Sequence, residues 1–160
     1  LNNLEIESDA FKGPVSGEFA LTEEKLSLQD KVHLLPKIAG KLTLDDVKIS
    51  VPSIPDSEGE MPNILLDVTL HLGKDVHLYT PYLYDMYLTG SANFGVSTRF
   101  PKSSGSLYVQ QGGTINFMKT VFKIREGEAY FNQVGSFLPN ITFMADAPTS
   151  IFPWKVPATT

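Results

Sequence analysis

Short alternations of apolar and polar residues, separated by glycines, dominate the second half of the chain. Between residues 105 and 145 the apolar positions recur at every second residue, as in Leu107 and Val109, or Ile115 and Phe117. Side chains of a strand point alternately to the two faces of a sheet, so this spacing gives each segment one apolar and one mixed face. The pattern predicts at least four strands within this stretch.

Glycines mark the predicted turns between these alternations. The pair at residues 112–113, Gly127 and the loop at residues 135–139 each separate two apolar segments. Glycine adopts positive φ at little cost, which suits the tight points at which a chain reverses. We therefore expect a reversal at each of these points, and also at residues 73–75 and at Gly90.

The clearest predicted strand covers residues 66–72. Its even-numbered positions are leucine or valine and its odd-numbered positions are polar, so one face is apolar and the other is polar. Alternation resumes at residues 76–78 and again over residues 92–100. In the tyrosine-rich stretch between them, Pro81 is expected to force an edge position or a bulge, because proline has no N–H for a sheet ladder.

The first third of the chain is also predicted to form strands. Residues 15–22 and 25–28 alternate, and we expect a hairpin closed near residues 23–24. Residues 41–44 and 47–51 form another pair of alternations on either side of two aspartates. Strands are therefore expected from the beginning of the chain to residue 145, with one long interruption.

A helix over residues 28–35 is the alternative for part of this region. Leu28, Val32 and Leu35 have the i, i+4, i+7 spacing of one helical face. Thr22 would cap such a helix, but no Glu or Gln follows three residues later, so the capping box is absent. Strand is the favoured interpretation.

The chain divides into four parts within one predicted domain. A length of 160 residues suits a single domain that is large enough to bury a core. We expect N-terminal strands at residues 1–50, the main strands at residues 64–147 and an extended tail at residues 148–160. Residues 51–63 hold three prolines and three acidic residues, which predicts a surface loop, either a plain connector or a segment that binds a partner.

Charge and composition exclude several classes of function. The net charge is −5 and the basic residues are scattered, which argues against nucleic acid because phosphates require clustered Lys and Arg. A chain without cysteine forms no disulfide and no thiolate metal site. No apolar run approaches the roughly 20 residues of a membrane span. The chain begins with leucine, so we expect a fragment of a longer protein whose targeting and anchoring parts lie outside it.

The sequence contains no recognisable catalytic constellation. Its histidines are His33, His71 and His77, and a metal site built on the last two would need a third ligand, either Asp67 or Asp75. No serine lies in a Gly-x-Ser-x-Gly elbow, and no glycine-rich phosphate loop is present. The tyrosines at residues 79–87 are typical of strands or of a shelf that stacks sugars. We therefore expect no enzymatic activity, no metal and no cofactor.

An ordered series of short motifs runs through the second half of the chain. It comprises Leu-Asp-Val-x-Leu-x-Leu-Gly at residues 66–73, Val-x-Leu at 76–78, Leu-Thr-Gly at 88–90, Ser-Gly-x-Leu-x-Val at 104–109, Gly-x-Ile-x-Phe at 113–117, Phe-x-Ile-x-x-Gly-x-Ala-x-Phe at 122–131 and Pro-x-Ile-x-Phe-x-Ala at 139–145. The series resembles the C-terminal conserved region of the TamB family. The resemblance covers residues 65–147, and a weaker likeness extends to residues 40–55. The tyrosine-rich segment and the proline-rich loop depart from the pattern of the family.

The resemblance implies an all-β fold, an elongated curled sheet called a β-taco, with an apolar concave interior. TamB-like proteins are anchored in the inner membrane of diderm bacteria by an N-terminal helix and span the periplasm. The family is linked to the transport of phospholipid to the outer membrane, which implies phospholipid acyl chains as ligands. It is also linked to TamA, an outer-membrane barrel of the Omp85 class, and to the assembly and secretion of outer-membrane proteins, which implies such a barrel as a partner.

The residues themselves lead to a compatible expectation. A sheet with one apolar face must cover that face, and a groove of aliphatic and phenyl side chains would shield acyl chains while headgroups stay in water. The positions expected to line this groove are Leu66, Val68, Leu70, Leu72, Val76, Leu78, Leu88, Phe94, Val96, Leu107, Val109, Ile115, Phe117, Phe122, Ile124, Phe131, Ile141 and Phe143.

Two other interpretations remain open at the level of the residues. The domain is a scaffold that offers a sheet edge to nascent outer-membrane strands, or it is a structural sandwich or solenoid with a filled core. A charge at Phe94 or Phe117 would abolish a conduit, spare edge pairing and unfold a filled core. Open sheet ends also predict that the isolated fragment dimerises through its edges.

Overall fold

Every regular element in the part of the chain that the structure describes is a β-strand. The structure is a computed structural model and describes residues 4–28, 31–50, 64–97 and 100–148. The strands are β1 (Leu4–Glu7), β2 (Phe11–Leu28), β3 (Lys31–Leu44), β4 (Lys48–Ile49), β5 (Leu65–Thr80), β6 (Tyr84–Ser97), β7 (Phe100–Val109), β8 (Thr114–Phe117), β9 (Thr120–Phe131) and β10 (Asn140–Asp146). The predicted all-β fold is confirmed. The predicted loop at residues 51–63 and all but the first residue of the predicted tail lie outside the described residues.

All of these strands belong to one curled sheet. Its order is β1-β2-β3-β5-β6-β7-β9-β10, and neighbours along this path are antiparallel except for β3 and β5, which are parallel. The short strand β4 continues the path of β3, since both pair with β2 and β5. In the same way β8 continues the path of β7, since both pair with β6 and β9. The sheet is therefore built from long strands, two of which are interrupted.

Most of the glycines at predicted turns lie inside continuous strands. Residues 73–75 lie within β5, Gly90 within β6 and Gly127 within β9. Residues 112–113 separate β7 from β8, which run in the same direction. The prediction that the chain reverses at these points is wrong. A bulge and a turn both interrupt the alternation of side chains, and only the pairing of the following segment distinguishes them.

Two reversals in the described ranges use residues other than glycine, whereas the predicted reversal at residues 135–139 is confirmed, because this loop with Gly135 joins the antiparallel strands β9 and β10. Met118 and Lys119 join β8 to β9 with φ angles of 47° and 67°, the left-handed conformation that a type I′ turn requires at both central positions. Residues 81–83 join β5 to β6, and Tyr82 has a φ of 66°. Pro81 therefore opens a turn, and the prediction of an edge position or a bulge there is wrong.

The first third of the chain contains two long strands where shorter ones are predicted. β2 continues without a break through residues 23–24, so the expected closure of a hairpin at that point is wrong. β3 occupies residues 31–44, which excludes the helical alternative in the described part of residues 28–35. Residues 45–47 then separate β3 from β4 without reversing the chain.

Bulges and short breaks lie in a row across the sheet, on both sides of β6, which itself continues through the row without a bulge. In β5, residues 73–75 face a single residue of β6, Thr89. Similar irregularities lie in the neighbouring strands, and we call the set the bulge row, which comprises residues 45–47, 73–75, 110–113, 124–126 and 144–145. Asp46 and Asp75 adopt positive φ within it. Because each bulge bends its own strand, bulges in neighbouring strands fold the sheet along one line.

Hydrogen bonds hold two of these bulges against each other. The carboxylate Oδ1 of Asp45 accepts a hydrogen bond of 2.8 Å from the backbone N–H of Lys74, and the N–H of Asp46 donates to the carbonyl of Lys74 at 2.8 Å. Gly73 leaves room for this carboxylate, since a Cβ at that position would lie 2.1 Å from Asp45 Oδ1. The sequence therefore specifies the bend through an aspartate on one strand and a glycine on the next.

The bulge row divides the sheet into two walls that enclose an apolar face. We call the part with β3 and β7 the long wall and the part with β4 and β8 the short wall. At the inside of the bend lies a group of buried residues that we call the bend core, namely Leu44, Val47, Leu72 and Val76. Val47 is 1% exposed and Val76 is 0% exposed. In the described ranges the sheet has one layer, so its own curvature buries these side chains.

The edges of the sheet are β1 and β10, which do not pair with each other within the described ranges. β10 is fastened to β9 by an ion pair in which Nε and Nη2 of Arg125 donate to the two carboxylate oxygens of Asp146. Through these hydrogen bonds Arg125 holds the pKa of Asp146 below its ordinary value. This pair is exposed and ties the last edge strand to the sheet.

Acidification is expected to loosen β10. Since the pKa of Asp146 is lower in the folded protein, the ion pair stabilises the sheet above the ordinary carboxylate pKa of about 3.9 and is lost as the pH falls through the lower folded value. Amide hydrogen-exchange protection factors in β10 should therefore fall in acid relative to those in β6. Asp146→Asn should show the weaker protection already at pH 7, and equal protection of both proteins at pH 7 would contradict a role for the pair.

Candidate functional site

The residues predicted to line a groove all lie on one face of the sheet. Cross-strand partners share a face, and the register pairs Leu66 with Val96, Leu88 with Val109, and Phe143 with Gly127. Alternation along each strand places the other predicted residues on the same face. This is the face that the two walls enclose.

The opposite face carries polar side chains that bind one another. Asn93 Nδ2 donates to Asp67 Oδ1 at 2.9 Å and to Thr69 Oγ1 at 3.2 Å. His71 Nδ1 lies 2.8 Å from Ser91 Oγ. These contacts join β5 to β6 on the outer surface. The difference between the two faces directs any apolar ligand to the inner one.

An open apolar pocket lies on the inner face between β5 and β10, and we call it the β5–β10 pocket. Its volume is about 330 Å³. Its lining comes from both walls and comprises Leu78, Tyr84, Met86, Leu88, Leu107, Val109, Ile115, Ile124, Gly127, Glu128, Ala129, Ile141, Thr142 and Phe143. The surface of this pocket is formed by apolar atoms alone, although Glu128 and Thr142 border it. It offers a ligand dispersion contacts and no hydrogen bond.

The predicted residues divide into open and closed positions. Eight of them line the β5–β10 pocket, namely Leu78, Leu88, Leu107, Val109, Ile115, Ile124, Ile141 and Phe143, although Ile124 itself is buried. Leu72 and Val76 belong to the bend core and are closed to any ligand in this conformation. Phe117 is exposed next to the turn at Met118. The face is therefore a groove in some places and a packed core in others.

A turn of the chain covers the long wall near Phe94. After β9 the chain continues beside β7 to a bridge between Val134 and Lys102, and Gly135 then turns it inward with a φ of 89°. The ring of Phe137 packs at 6.1 Å from the ring of Phe94. Ser103, which is buried, donates from Oγ to the carbonyl of residue 136 at 3.1 Å. Phe94 is therefore packed by the protein itself and is a poor position at which to probe an open groove.

Sequence reasoning missed the part of the apolar face that the first strands contribute. Phe11, Val15 and Leu42 pack against the bend core, and Phe19 extends the same face along β2. The alternation in β2 and β3 is a usable signal for these positions. The motif series that guided the choice of lining residues begins only at residue 66, which is why they were left out.

The polar candidates do not assemble a catalytic or metal site. His77 Nε2 lies 2.7 Å from Asp85 Oδ1, and its ring stacks on Tyr87 at 4.6 Å on the outer face. No group of three or more metal-ligating side chains occurs in the part of the chain that the structure covers. The tyrosines do not form one shelf, because Tyr84 lines the inner pocket whereas Tyr82 lies in a turn.

These features define a class of protein, namely a single curled β-sheet that shelters an apolar groove by its own curvature. Residues 3–151 match the family described as the TamB C-terminal domain. The match covers most of the chain, so the chain belongs to the TamB family, and the family that the motifs resemble is confirmed. Proteins of this family are associated with the cell envelope.

A search of the curated proteins found no match. Among the described residues, no helix is long and apolar enough to span a membrane.

Proposed function

We propose that this domain is the periplasmic part of a longer, inner-membrane-anchored protein and that its groove shields acyl chains while phospholipid moves to the outer membrane. The observation that supports this proposal is the β5–β10 pocket, whose surface is apolar throughout and open to solvent. Acyl chains are the apolar ligands that an envelope-associated protein meets in quantity. The polar headgroup would stay in water at the mouth of the groove.

The energetics suit a ligand that must bind and also move. Burying one methylene group is worth roughly 0.8 kcal/mol, so about a dozen give on the order of 10 kcal/mol before costs. Ordering of the chain and incomplete removal from water offset much of this gain. The contacts have no preferred direction, so an acyl chain slides along the groove without breaking hydrogen bonds. Binding of this kind requires no cofactor, no metal and no catalytic group, and we propose that the domain is not an enzyme.

The first test is native mass spectrometry of the purified chain with lipid extraction in parallel. We expect phospholipid to be bound to the wild-type protein. Phe143→Glu places a charge in the β5–β10 pocket at a position that is 53% exposed, so the protein should stay folded. Bound lipid should fall by at least about tenfold, since an unfavourable contact of about 1.4 kcal/mol already gives that factor.

Val121→Glu is the matched control for this substitution. Val121 is 48% exposed and alternates with Phe122, so it lies on the outer face of the short wall. The control should bind as much lipid as the wild-type protein, and both variants should keep the circular dichroism spectrum of a sheet. Absence of lipid from the wild-type protein, or equal binding by both variants, would refute the proposed function.

The edge strand β10 favours a second candidate function. Ile141, Phe143 and Met144 are exposed on it, and no strand within the described ranges covers its outer side. An edge of this kind accepts another strand by β-augmentation. The domain would then act as a scaffold for outer-membrane protein assembly with an Omp85-type barrel such as TamA, or it would dimerise through its edges. Pairing of this kind depends on backbone groups, so Phe143→Glu should leave it largely intact.

A further inference from the structure

The apolar face contains a second pocket, which lies at the other end of the sheet. We call it the β1–β3 pocket, and its lining comprises Leu4, Phe11, Val15, Gly17, Phe19, Leu42 and Leu44. Its volume is about 330 Å³, equal to that of the β5–β10 pocket. Its surface is almost entirely apolar. None of these residues is among the positions predicted from the sequence to line a groove.

The bend core separates the two pockets. On one side it packs against Phe11 and Val15, which line the β1–β3 pocket. On the other side it packs against Leu88 and Leu107, which line the β5–β10 pocket. The two linings share no residue. Val76 in this core has no exposed surface, so the open surface of one pocket does not pass over Val76 to the other.

We propose that the domain holds acyl chains at two separate sites, one in each pocket, and that the bend core is a closed partition between them. This inference rests on the proposed function of the groove. It replaces one continuous channel by two compartments of similar size. A chain moves from one to the other only when the bend core parts.

The lining determines the chemical class of the occupant. A polypeptide segment laid in the β1–β3 pocket would bury backbone N–H and C=O groups against a surface with almost no polar atoms. Buried polar groups without partners are strongly unfavourable, whereas a hydrocarbon chain has none to satisfy. Strands that add to β1 would pair with its edge, which leaves this face uncovered. A single acyl chain is therefore the occupant that fits.

A titration with a single-chain lysophospholipid, followed by native mass spectrometry, tests the two sites. The wild-type chain should saturate with two ligands. Phe19→Glu and Phe143→Glu change the same residue type at similar exposures of 46% and 53%, one in each pocket. Each single variant should saturate with one ligand and the double variant should bind none, while Val121→Glu should retain both.

Photolabelling gives a second measurement that does not depend on the variants folding. A lysophospholipid with a diazirine in its acyl chain should label the wild-type chain in β1–β3 and in β7–β10, and it should leave Leu72 and Val76 unlabelled.

Labelling of these two core residues would show a continuous groove and overturn the partition. Removal of both ligands by either single variant would overturn it as well. A lipid-free dimer that Phe19→Glu dissociates would instead assign the β1–β3 pocket to a second copy of the chain. A wild-type chain that binds no lipid at all would refute the proposed function itself.

Discussion

Replacing Val76 with aspartate is expected to prevent the domain from folding. Val76 has no exposed surface and packs with Leu44, Val47 and Leu72 at the inside of the bend. A carboxylate buried there finds no partner, and the cost of such a change is about 3–5 kcal/mol. The free energy of unfolding of native domains is only about 5–15 kcal/mol, so this cost removes much or all of the stability of the fold. Circular dichroism and urea denaturation measure the effect.

Val121→Asp provides the control, because it makes the same change at a position that is 48% exposed. Surface substitutions of this kind alter stability by about 0.5 kcal/mol or less. The urea midpoint of the control should therefore stay close to that of the wild-type protein. If Val76→Asp kept that midpoint too, the bend core would be open to water and the two walls would not meet.

The substitution Gly90→Ala is expected to cost about 3 kcal/mol, the second largest effect. Gly90 lies in the middle of β6 with a φ of +122°, and a Cβ there would lie 2.4 Å from the carbonyl oxygen of Ser106 on β7. A methyl group must therefore push two central strands apart, in addition to the cost of the backbone conformation. Urea denaturation gives the change in the free energy of unfolding.

The variant Gly112→Ala separates the cost of the backbone conformation from the cost of the steric clash with the neighbouring strand. Gly112 has a φ of +100°, but a Cβ there would meet no atom within 4 Å. The backbone conformation alone costs about 1–2 kcal/mol, so this variant should lose less stability than Gly90→Ala. Equal losses in the two variants would mean that the close approach of β6 and β7 contributes nothing.

The faces of the strands could be predicted from the sequence, because side-chain direction alternates with a local period of two. The leucines of residues 66–72 and the pair Ile141 and Phe143 lie on one inner face as their alternation predicts. The ends of the strands could not be predicted in this way. Gly90 and Gly127 look like turn residues in the sequence and lie within continuous strands. Met118 and Lys119 form a tight reversal without any of the usual turn residues.

The solvent exposure of each residue on the apolar face depends on the bend of the sheet, and the sequence pattern does not reveal where this bend lies. Val76 and Phe143 occupy equivalent positions in their alternations, yet one is fully buried and the other is half exposed. The difference arises because Val76 lies at the inside of the bend and Phe143 lies on the edge strand. Burial of this kind is set by contacts between strands that are distant in the sequence, such as β4 and β5.

The alignment of the bulges gives this sheet a crease. On each side of the crease the strands form a panel with regular backbone hydrogen bonds. The residues at which the strands change direction lie in the crease itself. Small changes in φ and ψ at a few such residues rotate one panel of the sheet against the other while the strands within each panel keep their partners. The spacing between the panels is thus adjustable without exchange of strands. If the groove holds acyl chains as proposed, a change in the angle between the two panels would fit it to ligands of different thickness.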